Sequence, residues 1–153
     1  MSAIGILGGV GPLAGADLAK KVFAHTRASR DQDHIDLYLV SCPSLIPDRT
    51  DYLLSGGADP LPGMNLCVEK LALCGSTVFG IACNTAHSRK ILDRLSVPQG
   101  MEFVNMIEAS CNYLSNRPDC RREKAVRRSS WAARNCLLSL RTPRALRAYS
   151  LPT

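Results

Sequence analysis

Three short segments carry side chains fit for chemistry: GGVGP (8–12), SCPSLIPDRT (41–50) and CNTAH (83–87). In the last, Cys83 follows an apolar run and opens a segment with helical spacing. That position sets its sulfur near unpaired N–H groups and the positive end of a helix dipole, both of which favour a thiolate. Such a thiol can move a proton or attack an electrophile. Asn84 and Thr85 add donors beside it, suited to a carboxylate or an enolate-like intermediate. From the residues alone, a buried structural cysteine stays open as the competing account of Cys83. His87 stands one helical turn further on, but two ligands do not make a zinc site and no third is near, so no metal is expected. Arg49 has the fork geometry to grip a carboxylate in two places, or to pair with Asp48 or Asp51 in its own loop. GGVGP lacks the full GxGxxG or GxxxxGK[ST] pattern, so its glycines read as close backbone approach to something small, not as a nucleotide loop.

These segments need a frame, and the flanking residues supply one. AIGIL (3–7) is a short apolar run ended by the glycines, and Pro12 opens a helix with Leu13, Leu18, Val22 and Phe23 on its apolar face. IDLYLVSC (35–42) reads as a second strand, followed by a long loop over 43–60. A helix starting at Asp59, with Pro60 and Pro62 in its first turn and Gly75 at its end, buries Met64, Cys67, Val68, Leu71 and Cys74. STVFGIA (76–82) is a third strand; CNTAH turns into a helix bearing Ile91, Leu92 and Leu95; EFVNM (102–106) is a fourth strand before a helix over 107–116. Strands alternating with helices predict an α/β fold, a parallel, doubly wound sheet of about four strands. In such a sheet ligands collect beyond the carboxyl ends of the strands, which is where all three segments fall.

Charge divides the chain. Residues 1–110 hold nine Lys/Arg and eleven Asp/Glu, a balance of −2, whereas 111–153 hold ten and two, a balance of +8. Beyond Asn116 the βα rhythm stops, and Arg, Ser, Ala and Leu dominate. The expected organisation is one α/β domain over 1–116 and an irregular basic tail over 117–153 that is disordered or foreign to the domain. The tail's change of composition resembles an out-of-frame reading of coding sequence. The seven cysteines are odd in number and scattered without CxxC spacing, so no disulfide framework is expected. No apolar run approaches the length of a membrane span, and MSAIGILGG lacks a basic n-region, so a cytoplasmic protein is expected.

Taken together, GILGGVGPLAGADL (5–18), RDQDHIDLYLVSCPSLIPDRT (30–50), GADPLP (57–62) and ACNTAH (82–87) resemble the aspartate/glutamate racemase family, in order and spacing, across roughly residues 3–110. The resemblance implies a racemase that needs no pyridoxal phosphate or other cofactor, built of two similar α/β domains, with one cysteine from each flanking the substrate Cα. It makes Cys83 one acid/base, gives Asn84 and Thr85 the α-carboxylate, lines the site with Gly9, Val10 and Gly11, and sets Arg49 against a side-chain carboxylate. The sequence departs from the family at Val10, where methionine is common, and at Cys42, where asparagine is usual. The half that would carry a GCT-type partner cysteine is missing: Cys111, Cys120 and Cys136 lack that context. A truncated and impaired enzyme is therefore expected. Its partners would be a small-molecule amino acid and, as an open alternative, a second copy of the chain in a homodimer. A non-catalytic remnant, or a binder of nucleic acid or another acidic partner through the tail, is the competing class; with no nucleic-acid motif in the chain, nucleic acid is not the expected partner.

Overall fold

The computed structural model describes residues 3–116; the stretch 117–153, on which the tail expectations fall, lies outside the described residues. Four strands, β1 (Ala3–Leu7), β2 (Leu37–Val40), β3 (Ser76–Ile81) and β4 (Glu102–Val104), form one parallel sheet in the order β2-β1-β3-β4. Pairing is in register from Ile4 opposite Leu37 and Val78 to Leu7 opposite Val40 and Ile81. A central parallel strand is covered on both faces, which is why β1 is apolar throughout and buries Ile6 and Leu7 almost completely.

The helices lie on both faces, as a doubly wound sheet requires. Helix α1 (Pro12–His25) crosses beside Leu39, where a methyl group on Gly15 would sit 3.3 Å from the Leu39 side chain. Leu39 is opposite Ile6, so this is the Ile6 face. The other face, that of Gly5, Leu7, Phe79 and Ile81, receives α3 (Leu61–Leu73). Met64, Cys67, Val68 and Leu71 lie at helical spacing and are each 0% exposed, giving α3 a continuous apolar stripe. The Asp59 carboxylate accepts the Leu61 N–H at 3.0 Å and so starts the helix as the sequence implied.

Several elements differ from the expectation. The segment 43–60 is not a plain loop: it contains a 3-10 turn, Pro43–Leu45, and a helix, α2 (Arg49–Ser55). Asp48 caps α2 by accepting from the N–H groups of Thr50 and Asp51, and Gly56 ends it in the left-handed conformation; both signals stood in the sequence, but seven residues are too few to show a period. CNTAH does not open a helix running to Leu95. A 3-10 turn (Thr85–His87) comes first, and α4 is only Arg89–Leu92. In α1, Leu13 is 86% exposed, because the helix turns Gly15, not Leu13, toward the sheet. Cys74 is exposed, since it lies at the cap position after α3 has ended.

The chain divides into two compact units after Met106, ahead of the domain boundary expected at 116/117. The described part of the second unit is the body of α5 (Met106–Asn116), whose Cys111 is disulfide-bonded, a linkage the scattered cysteine pattern did not announce. Among the described residues no helix is long and apolar enough to cross a membrane.

Leu71 is fully buried between α3 and the β1–β3 pair. Leu71→Ala is expected to cost about 2–5 kcal/mol, the range for deleting a buried leucine side chain, and urea unfolding followed by circular dichroism measures it. A loss within the noise would show that the α3 face is not the core.

Candidate functional site

The connection from β1 leads outward to β2 on one side, and β3 and β4 are added on the other. The order therefore reverses between β1 and β3, and it is between the carboxyl ends of two such strands that a doubly wound sheet leaves its ligand crevice. Leu7 and Ile81 are the last paired residues of the two strands. The chain segments that follow, Gly8–Gly11 and Ala82–Thr85, thus emerge side by side. The sequence placed both at strand ends; the register makes them neighbours.

The glycine turn is held by its backbone. Gly8 donates to the Val40 carbonyl at 2.8 Å, and Gly9 adopts φ 77. A Cβ on Gly9 would lie 2.8 Å from the Cys42 nitrogen and 2.9 Å from the Pro43 nitrogen, so only glycine lets the turn close onto the end of β2. Gly11, at φ 136, caps α1, and its carbonyl accepts from Ala14 and Gly15. Val10 sends its side chain into the core and leaves its carbonyl at the turn.

That carbonyl is where Arg49 docks. The Arg49 guanidinium donates from Nη2 to Val10 O at 2.9 Å and from Nη1 to Pro47 O at 3.4 Å, while its Nε is buried with no hydrogen-bond partner. Asp48, its neighbour in sequence, uses its carboxylate for the α2 cap instead. The N–H groups of Asp51 and Thr50 hold that carboxyl below its usual 3.8, with the Arg49 charge the smallest contribution. Arg49 is thereby half-buried and fixed at the glycine turn.

Cys83 is half-buried and packs against the core beside the crevice. Asn84 is exposed and Thr85 half-buried at the start of the 3-10 turn. Because this turn is three residues long, the helix dipole inferred from the sequence reduces to the local field of one short turn. His87 fixes the segment from behind. Its Nδ1 bonds the Cys83 carbonyl at 2.7 Å, and its Nε2 accepts the Met106 N–H at 3.2 Å, an arrangement that requires the Nδ1–H tautomer. The ring stacks on Phe103 at 5.9 Å between centroids, and Phe103 meets Phe79 in a tilted pair at 5.1 Å. Both nitrogens are used to hold the Cys83 loop to the end of β4, a role the sequence did not disclose, since Met106 is nineteen residues away.

A second group missed by the sequence closes the outer rim. Arg94 donates to the Tyr52 hydroxyl at 2.8 Å and to Asp59 at 2.7 Å, and Lys90 lies 4.5 Å above the Tyr52 ring. These bonds join α2 and the start of α3 to the segment after α4. The Leu61 N–H, then Arg94, holds the Asp59 carboxyl below its usual 3.8. Only spatial proximity links residues 52, 59 and 94, so no periodic signal could have shown it.

Two outcomes are expected. Gly9→Ala should lower the melting temperature more than Gly11→Ala: both positions have positive φ, but a Cβ at Gly11 meets nothing nearer than 3.6 Å. Equal melting temperatures would mean the turn does not press on Cys42. The second concerns acid. A carboxyl whose folded value is depressed binds its proton more readily in the unfolded chain, so its stabilisation is complete above 3.8 and fades as pH falls through the lower folded value. The urea midpoint should therefore drop from about pH 5 to about pH 3, and less steeply in Asp59→Asn. An unchanged slope would remove Asp59 from the rim.

Residues 7–125 match the family described as Asp/Glu/hydantoin racemase. The structure is similar to Picrophilus torridus aspartate racemase, with a TM-score of 0.66 and 31% identity over 74% of this chain and 47% of that one. An aspartate racemase homologue from Pyrococcus horikoshii OT3 shares the fold, with a TM-score of 0.54 and 22% identity over 77% of this chain and 50% of the other. The chain spans about half the length of these solved structures.

Proposed function

The chain belongs to the Asp/Glu/hydantoin racemase family, and from that premise we propose that it is an amino-acid racemase-like protein of the cytoplasm, acting on the Cα–H bond without a cofactor. The observation that carries the reading is the register of β1 with β3, which sets Cys83 beside a backbone-lined glycine turn at the switch point of the sheet. A small zwitterion suits such a crevice. Asn84 and Thr85 supply donors for its α-carboxylate, and Gly9 to Gly11 approach it by backbone alone. Arg49, anchored through Val10, has further Nη N–H groups to offer a side-chain carboxylate, which favours an acidic amino acid.

In the chemical step the Cys83 thiolate takes the α-proton. The electron pair of the C–H bond stays on carbon and spreads into the carboxylate, whose growing charge the Asn84, Thr85 and Arg49 donors offset. Return of the proton from Cys83 restores the starting enantiomer, whereas inversion needs an acid on the opposite face. Among the described residues no second thiol serves it: the Cys42 sulfur is engaged by Lys70 and Cys67, and Cys74 lies past the far end of α3. The described residues thus form a half-site, which is expected to be impaired in racemisation.

The purified chain is expected to exchange the α-proton of one enantiomer of aspartate or glutamate for solvent deuterium, with little change in optical rotation. Cys83→Ser should reduce the exchange on the order of a hundredfold or more. Mass spectrometry and polarimetry on both enantiomers measure the two quantities. Rapid interconversion would overturn the half-site reading, and exchange untouched by Cys83→Ser would remove Cys83 from the chemistry.

A further inference from the structure

The core beneath α3 contains two thiols that the crevice does not use. Cys67 is 0% exposed in the core against which Cys42 packs, close enough for the two sulfurs to act on one another; Cys42 is half-buried where β2 runs into the Pro43–Leu45 turn. Lys70, almost one turn after Cys67, donates its ammonium to the Cys42 sulfur at 3.9 Å. Both thiols are free.

We propose that Cys42 and Cys67 are an oxidisable dithiol, in which a hydroperoxide attacks at Cys42 and Cys67 closes a disulfide between the end of β2 and α3. The asymmetry of the pair sets the order of events. Cys42 has solvent access and a positive charge beside its sulfur, the setting in which a cysteine reacts first. Cys67 is sealed, and burial, helped by the neighbouring Cys42, pushes its thiol up to about 11, so it stays protonated and inert until its partner is oxidised.

The chemistry balances with the peroxide as oxidant. The Cys42 sulfur attacks the O–O bond, one oxygen remains as the sulfenic acid, and the other leaves as water or an alcohol. The Cys67 sulfur then attacks that of Cys42, the S–O bond breaks, and hydroxide departs as water with the Cys67 proton. Two electrons pass from the thiols to the peroxide. The two sulfurs must close to about 2.05 Å to form the bond, so oxidation draws the Cys42 backbone toward α3. Gly9 packs on that same backbone, at the Cys42 and Pro43 nitrogens. The disulfide therefore pulls on the glycine turn, a consequence that holds whatever reaction the crevice performs.

The test treats the full chain with one equivalent of hydrogen peroxide, alkylates the remaining thiols in denaturant and maps the digest by mass spectrometry. The expected product is a peptide joining Cys42 to Cys67 that dithiothreitol separates. In Cys67→Ser, which cannot close the bond, dimedone should capture Cys42 as sulfenic acid several times more than in the unaltered chain. Lys70→Met should slow the joining severalfold. Oxidant consumed at Cys74 or Cys83, with Cys42 and Cys67 recovered in separate alkylated peptides, would overturn the proposal. So would dimedone capture that does not rise in Cys67→Ser, or a rate indifferent to Lys70.

Discussion

Parallel pairing of β1 with β3 is the constraint on which the rest of this molecule depends. Pairing two strands that are not consecutive leaves β2 on the far side of β1, and the resulting reversal of strand order opens the crevice. The same pairing stacks Gly5, Leu7, Phe79 and Ile81 on one face, and α3 covers that face with its fully buried stripe. Core and site are thus two results of one register. A slip by one residue would turn Leu7 and Ile81 to the wrong face and separate the glycine turn from Cys83.

Holding the loops at the crevice takes a different kind of interaction. The turn after β1 is fixed by steric necessity at Gly9, the turn after β3 by His87 between Cys83 and Met106, and Arg49 ties the α2 segment to Val10. Those made by His87 and Arg49 are hydrogen bonds to backbone atoms, whose positions the sheet already sets, so they carry its order outward by one residue shell. The rim of Arg94, Tyr52 and Asp59 is more exposed and contributes less per bond, since water competes for each partner. Burial of Ala86 and Ile91 in the core anchors the Cys83 segment more firmly than the rim does.

Cysteine in this chain has at least three physical settings. Cys83 lies at a strand end with partial access, Cys67 is sealed in the core, and Cys74 is at an exposed helix end. Reactivity follows from the setting, not the residue type, because access and neighbouring charge govern where a thiolate forms. Cys42 is the intermediate case: near enough to Gly9 to bear on the crevice, near enough to Cys67 and Lys70 to belong to the core.

The sequence by itself determined the fold class and the addresses of the site. Apolar runs of strand length alternating with helices of period 3.6 admit few arrangements besides a parallel sheet, and GGVGP, PDRT and CNTAH stood at strand ends in any of them. These are local properties, encoded within a dozen residues of where they act. The tertiary structure decided what depends on distance. It brought Arg49 to Val10 and not to Asp48, showed Cys83 leading into a short turn where a full helix was expected, and exposed Leu13 and Cys74. It also joined His87 to Met106, Arg94 to Tyr52 and Cys42 to Cys67. Such partners lie up to 42 residues apart, and the pairing of the strands together with the packing of the helices on them, which no local period encodes, sets which of them meet.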